Sequence, residues 1–393
     1  MLDLTTRTRT PKTAAEVVEL VGEGRPLEIV GGGTKRLVGT VRDAETVLSL
    51  AGLNRVIDYA PEELVLTAQA GVTLAALEKL VAAEGQMLPF EPPHFDRLLR
   101  AQAKSSGRHA TLGGTLAANL SGPRRIRAGA ARDHFLGLEA VTGRGELMKA
   151  GGKVVKNVTG YDLCKLIGGS WGTLAVLTEV TIKVLPAPRT ELTLLIFGLD
   201  DAGANAAMVR AMNAPVEVSG AAHLPQATAA RAPLKGEMAV TALRLEGFAA
   251  SVAARAEHLA TALQDVGRTE QLDGQLSCDF WVQVREVAAF WNDPRPLWRL
   301  SVPPASGWRV GEAVAGDKLY DWGGGLVWLL SDADPRATVR ALGGHATLYR
   351  GDGLSGGEGL AFEPLGGALA ALTTRVKAAF DPAGVLNPGR MAG

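Results

Sequence analysis

The 393-residue sequence contains only two cysteines, Cys164 and Cys278. That excludes a disulfide framework and a cysteine-rich zinc or iron–sulfur site held by this chain alone. An excess of either charge is also lacking: Lys+Arg and Asp+Glu number 41 each. A nucleic-acid binder needs a basic surplus or a basic face, so nucleic acid is not the expected partner. Near-neutrality also removes the repulsion that keeps proteins apart, which favours association with a partner chain. No apolar stretch reaches about 18 residues, so no membrane-spanning helix is expected. The N-terminal run MLDLTTRTRTPKTAAEVVEL has no long apolar core, so no signal peptide is expected either. The expectation is a cytoplasmic protein whose membrane contact, if any, runs through partner subunits.

Nearly half of the sequence is hydrophobic, enough for a large core, and its length suits two or three domains of ~100–200 residues. Thr10-Pro11 reads as a helix start with Pro at the first helical position, followed by AAEVVELVGEG at helical spacing. PLEIV, TVLSL, RVIDYA and LVLTAQA read as short strands, and TLAALEKLVAAEG as a helix. FLGLEAVT, GRG and ELMKA read as a hairpin, and LAVLTEVTIKVLP as a long strand. Pro186 and Pro188 mark a boundary, after which strands and helices alternate and six of the seven tryptophans fall between Trp281 and Trp328. The fold class expected is α+β. A first domain covers 1–188, in two parts of about 1–55 and 56–188. A second covers 189–365, an antiparallel sheet with helices on one face. Residues 366–393 form a terminal helix and a tail that returns to the first domain.

The stretch EIVGGGTKRLVG, residues 28–39, runs an apolar strand into three glycines, a threonine and two basic residues. A Walker A loop would need Ser or Thr after Lys35, and a dinucleotide fingerprint would need glycine where Arg36 stands. Glycines nonetheless let backbone N–H groups converge on an anion. A plain tight turn accounts for the same residues. A second glycine-bearing stretch, TLGGTLAANLSGPRR at 111–125, places Gly113 and Gly114 ahead of a short helical run. Two such segments, far apart in the chain, could clamp one elongated dinucleotide.

These segments resemble the FAD-binding proteins of the vanillyl-alcohol oxidase and p-cresol methylhydroxylase type. GGGTK (31–35), ATLGGTLAANLSGPRR (110–125), GYDLCKLIGGSWGTLAVLTEVTIKVLP (160–186) and FDPAGVLNPGR (380–390) carry the likeness across nearly the whole chain. Within that family, LWRLSVPP (297–304), GGHATLYR (343–350) and RVKAAFDPAGVLNPGRM (375–391) look most like the FAD-binding subunits of glycolate oxidases. The resemblance implies a two-part FAD domain with an antiparallel cap, and FAD held without a covalent bond. It implies partners: a larger flavin-binding subunit and an iron–sulfur subunit. It implies oxidation of the 2-hydroxy acid glycolate to glyoxylate. Carried over residue by residue, Gly31, Gly32, Gly33, Thr34 and Lys35 would embrace the diphosphate, with Pro89 near the flavin. Thr111, Gly113, Gly114, Asn119, Ser121 and Gly122 would line the diphosphate and ribityl portion. Asp133 would position the cofactor, and Gly172, Thr173, Val176 and Thr178 would run beside the adenine and ribityl parts. For each glycine a turn is the competing account, and for Asp133 a cap.

Oxidising a 2-hydroxy acid needs a group to hold the carboxylate, a base for the hydroxyl proton and a hydride acceptor. Relatives in the hydroxyacid dehydrogenase branch carry paired histidines in an H-x-x-D-G-N-x-H-like run. Here His345 stands without a second histidine, so no metal site is expected and independent catalysis is in question. His345 is the candidate base, against a structural histidine. Arg299 and Arg350 are candidates for holding the carboxylate, against an internal salt bridge. The tryptophans could roof the flavin or form a docking face, though aromatic clusters more often build cores. Cys164 reads as a buried inert thiol, and Cys278 has no assigned role. Two readings stay open: a catalytic oxidoreductase subunit, or a non-catalytic flavoprotein module that supports a larger subunit. A cell-wall nucleotide-sugar reductase is a more distant rival, because its proton donor and flavin-side glutamate cannot be placed.

Overall fold

The computed structural model describes residues 7–39, 41, 44–99, 109–152, 161–232, 236–351 and 360–391. Gly160, the first residue of the third resembling segment, lies outside them.

The chain begins with a small parallel sheet. Thr46–Ser49 is its centre, flanked by Arg7–Arg9 and Leu27–Val30. The helix between the outer strands, Ala14–Gly22, buries Val17, Leu20 and Val21. It starts later than Pro11 suggests, because Thr13 accepts the Glu16 N–H at 3.2 Å and the Glu16 carboxylate accepts the Lys12 N–H at 2.9 Å. Two reciprocal caps override a favourable proline.

A five-stranded antiparallel sheet follows, in the order Val56–Ala60, Val65–Gln69, Ala175–Lys183, Phe135–Thr142, Leu147–Gly151. Its central strand is almost wholly buried, and Val176, Val180 and Ile182 anchor a core shared with the parallel sheet. The C-terminal tail closes this region. Leu27 N–H donates to Val385 O at 2.8 Å, and Asn387 N–H returns to Leu27 O at 3.0 Å.

The eight-stranded antiparallel sheet spans Thr190–Arg350 and runs 269–273, 190–197, 240–247, 220–224, 317–321, 326–330, 297–301, 345–350. Side chains alternate between its faces. Leu194, Ile196, Leu243 and Leu245 meet the helices Asp201–Asn213 and Ala249–Ala262. Leu195, Ala222, Ala242 and Trp328 face the other way, toward Val38, Phe95, Leu98 and Leu120 of the first part. Helices are not confined to one face, as the sequence reading had it. Gly274–Arg285 packs on the inward side, where Trp281 donates to Thr193 Oγ1 at 2.7 Å.

Charges knit the two parts together. Arg244 of the eight-stranded sheet, 1% exposed, grips both oxygens of Glu91 at 2.9 Å. Arg124 pairs with Glu246 at 2.6 Å. Glu286 accepts the backbone N–H groups of His94 and Phe95 at 3.1 and 3.0 Å.

Candidate functional site

The strand Leu27–Val30 ends in Gly31-Gly32-Gly33, which forms one wall of a half-open cavity. Gly113 and Gly114 at the start of the helix Leu112–Ala117, with Thr111 before it, line the same cavity, as do Thr34, Lys35 and Gly172. The two glycine segments therefore face each other. A Cβ at Gly31 would stand 2.3 Å from Thr111 Oγ1, and one at Gly32 would stand 1.5 Å from His109 O, so the segments meet only because side chains are absent.

The two segments contribute differently. Gly113 N–H is spent on Ala70 O at 2.9 Å, and Gly114 N–H on Thr111 Oγ1 at 3.3 Å. They make room. By contrast, the backbone N–H groups of Gly32, Gly33, Thr34 and Lys35 have no acceptor among the described residues. Four successive unpaired donors form a concavity that favours an anion. Beside them lies the buried Lys35 ammonium, donating to Thr34 Oγ1 at 3.0 Å. Burial pulls Lys35 down to about 8, with Asp96 and Glu286 opposing. The donor set fits a dinucleotide diphosphate.

Several residues named from sequence lie off this cavity. Asn119 Oδ1 accepts the Arg132 N–H, Ser121 Oγ the Ala131 N–H and Asp133 Oδ2 the Ala130 N–H, so these side chains hold one turn together. Gly122 is needed because a Cβ would lie 2.2 Å from Glu91 O. Pro89 is buried without lining the cavity. Thr173 Oγ1 donates to Ser170 O and Thr178 Oγ1 to Glu139 O. Val176 packs in the core, while its neighbours Ala175 and Leu177 line the cavity.

Asn387, Arg390 and Trp171 are among the cavity residues not named from the sequence. Asn387 accepts the Ile29 N–H and donates to Trp171 O, both at 2.8 Å, and so pins two walls. Arg390 reaches back to the carbonyls of Lys35, Arg36 and Val38 and braces the glycine loop. Trp171 stands between the cavity and the eight-stranded sheet, with its ring 6.3 Å from that of Tyr349. Asn387 and Arg390 lie in a tail whose likeness was legible, but their contacts span more than 200 residues and leave no local pattern.

Of the catalytic candidates, Arg350 is excluded as an anion holder. Its guanidinium is spent on Leu98 O at 2.6 Å and Phe290 O at 3.2 Å. Arg299 lies in the strand Leu297–Ser301, half-buried over the rings of Trp322 and Trp328 at 5.1 and 6.0 Å. It has no hydrogen bond or ion pair among the described residues. His345, exposed at the start of the strand His345–Arg350, sits opposite Ser301. Desolvation first, then the Arg299 charge, lowers its pKa. Burial pushes the Asp321 carboxyl, next to Trp322, up to about 7. Cys164 is buried and its thiol is pushed up to about 12 by burial, whereas Cys278 is exposed. No cluster of metal-ligating side chains and no helix long and apolar enough to cross a membrane occurs among the described residues.

Comparison with known proteins gives this geometry a lineage. Residues 5–151 match the model of an FAD binding domain. Glycolate oxidase subunit GlcE of Escherichia coli K12 is 36% identical over 381 residues, which is 96% of this chain and 95% of that protein. Glycolate oxidase subunit GlcD of Bacillus subtilis is 32% identical over 50% of this chain and 39% of its own. Among solved structures, substrate-bound p-cresol methylhydroxylase aligns with a TM-score of 0.70 at 15% identity, covering 98% of this chain and 88% of that one. At that identity the likeness speaks to the fold alone. The cavity with its unpaired amides, the matched FAD domain and the full-length likeness converge: the chain belongs to the family of glycolate oxidase subunit GlcE, FAD-dependent oxidoreductases with a p-cresol methylhydroxylase-type FAD-binding fold.

Proposed function

We propose that this chain is the FAD-binding subunit of a complex that oxidises glycolate to glyoxylate. In this reading it assembles with a larger flavin-binding subunit and an iron–sulfur subunit. FAD is held without a covalent bond: the amides of residues 32–35 and the Lys35 ammonium meet the diphosphate. Thr111, Gly113, Gly114 and Gly172 shape the walls, and Asn387 and Arg390 hold the loop in place. When bound, FAD supplies the hydride acceptor. Arg299 takes the substrate carboxylate by charge-assisted hydrogen bonds. His345, its pKa lowered, accepts the hydroxyl proton.

The observation that carries this reading is Arg299, a half-buried guanidinium with no ion pair among the described residues, the buried Asp321 carboxyl acting on it only at longer range. Arg299 stands beside aromatic rings that lead to the FAD cavity. One observation favours the alternative of a non-catalytic module that supports the larger subunit: His345 has no residue orienting its ring among the described ones, as a working base requires. Anaerobic glycolate added to the FAD-loaded chain separates the two. Bleaching of the flavin absorbance supports turnover here, and an unchanged spectrum supports the module.

A further inference from the structure

We infer that Arg125 joins Arg299 in a two-guanidinium seat for the carboxylate of a small 2-hydroxy or 2-oxo acid, at the junction of the two parts of the molecule. The choice of acid rests on the function proposed above; the seat rests on geometry.

Arg125 opens the short helix Arg125–Ala128, three residues after Gly122. Its guanidinium lies 4.2 Å from the Trp322 ring, and that of Arg299 lies 5.1 Å from the same ring. Trp322 cannot drift, because its indole N–H donates to Gly122 O at 3.0 Å. One fixed indole thus carries a cation from each part of the molecule. Neither guanidinium makes a hydrogen bond or ion pair among the described residues. Each brings five N–H donors. Desolvation, then the Arg299 charge, holds Arg125 below its ordinary value, with Arg132 adding to the repulsion and Asp133 opposing it. Asp133 forms no ion pair with Arg125 among the described residues; its Oδ2 accepts the Ala130 N–H at 2.9 Å.

Other arginines at the junction are spent. Arg124 and Arg244 hold carboxylates, and Arg350 holds carbonyls. No ion pair among the described residues neutralises either guanidinium, and Asp133 and Asp321 act on them only at longer range, which leaves room for an anion from outside. A carboxylate matches the planar guanidinium fork. A relay of rings links the seat to the FAD cavity: the Trp171 ring at the cavity lies 6.3 Å from that of Tyr349, and Tyr349 lies 5.2 Å from Trp328, beside Arg299.

The test is calorimetric titration of the FAD-loaded full chain with oxalate, which presents two carboxylates and cannot be oxidised as a 2-hydroxy acid. Arg125→Gln should raise the oxalate Kd about tenfold or more, the scale of a lost charge-assisted hydrogen bond. Arg299→Gln should do likewise, and the double variant should lose less than the product of the two. Arg125→Lys keeps the charge and should fall between; it also serves if Arg125→Gln does not melt cooperatively. An Arg125→Gln chain that binds oxalate as the parent does overturns the seat, as does inorganic phosphate binding as tightly as oxalate. Because binding is read without turnover, the two proposals fail separately. A chain inert to glycolate that still needs Arg125 for oxalate keeps the seat and loses the catalytic reading. A chain that oxidises glycolate but binds oxalate without Arg125 loses only the seat.

Discussion

Glu91→Gln tests what holds the eight-stranded sheet against the FAD-binding part. The Glu91 side chain is 11% exposed and Arg244 is 1% exposed, so their charges face each other in a nearly dry environment. Burial alone would raise the Glu91 carboxyl, but Arg124 and Arg244 outweigh it and hold the group far below the carboxylate range. Removing one member of a buried pair costs about 3–5 kcal/mol, mostly from the stranded partner. Arg244 would keep Glu246 at 3.7 Å, Glu191 at 4.0 Å and the face of Trp281 at 4.6 Å. These residual contacts place the loss at the lower end, about 3 kcal/mol. For a unit of this size that lowers Tm by roughly 6–12 °C, measurable by scanning calorimetry at neutral pH.

The acid side supplies a second reading. A carboxylate with a depressed folded pKa stabilises fully above its unfolded value and loses that contribution as pH falls through the folded one. Glu246 falls from its ordinary 4.5 to about 2, and Glu91 lies lower still. The gap between parent and variant should therefore narrow below pH 4.5, because protonated Glu91 approaches glutamine in charge. A loss under about 1 kcal/mol, or a gap constant from neutral to strongly acid pH, would refute the clamp.

Gly32→Ala should abolish FAD retention while leaving far-ultraviolet circular dichroism unchanged, since the new methyl would stand 1.5 Å from His109 O and must displace the loop; flavin absorbance after desalting reads it. Lys35→Met should weaken FAD binding and flatten its pH dependence. The free ammonium titrates near 8 and a bound diphosphate would raise that value, so parent affinity should fall as pH rises above 8, by at most roughly tenfold per pH unit; equal slopes in both proteins would count against contact.

Local pattern made the strands legible. Apolar residues on both sides of a glycine-bearing turn marked residues 135–150 as a hairpin, and the structure pairs Val141 with Leu147. What the pattern could not carry was facing. Likeness named Val176 and Thr178, yet a strand turns alternate residues to opposite sides, and Ala175 and Leu177 line the cavity. Glycines were legible as a group but not by task. Gly32 and Gly33 have amides without an acceptor among the described residues, Gly113 gives its amide to Ala70, and Gly122 makes room for Glu91. Such differences depend on which distant backbone arrives beside each one. The same limit hid Asn387 and the inward packing of Gly274–Arg285, where helices had been expected on one face only.

The junction shows why the unspent arginines matter more than the spent ones. Burying a cation beside an acid is neutral at best, so the paired arginines align the two parts without adding much net stability. Alignment has a use only if something between the parts must be placed accurately. Trp322 is that element: it comes from the sheet, bonds to Gly122 of the other part and carries one guanidinium from each. Loosening the Glu91–Arg244 clamp should therefore separate Arg125 from Arg299 before it unfolds anything. At a temperature where Glu91→Gln is fully folded, its oxalate affinity should already be reduced, although Glu91 pairs with neither of those two arginines.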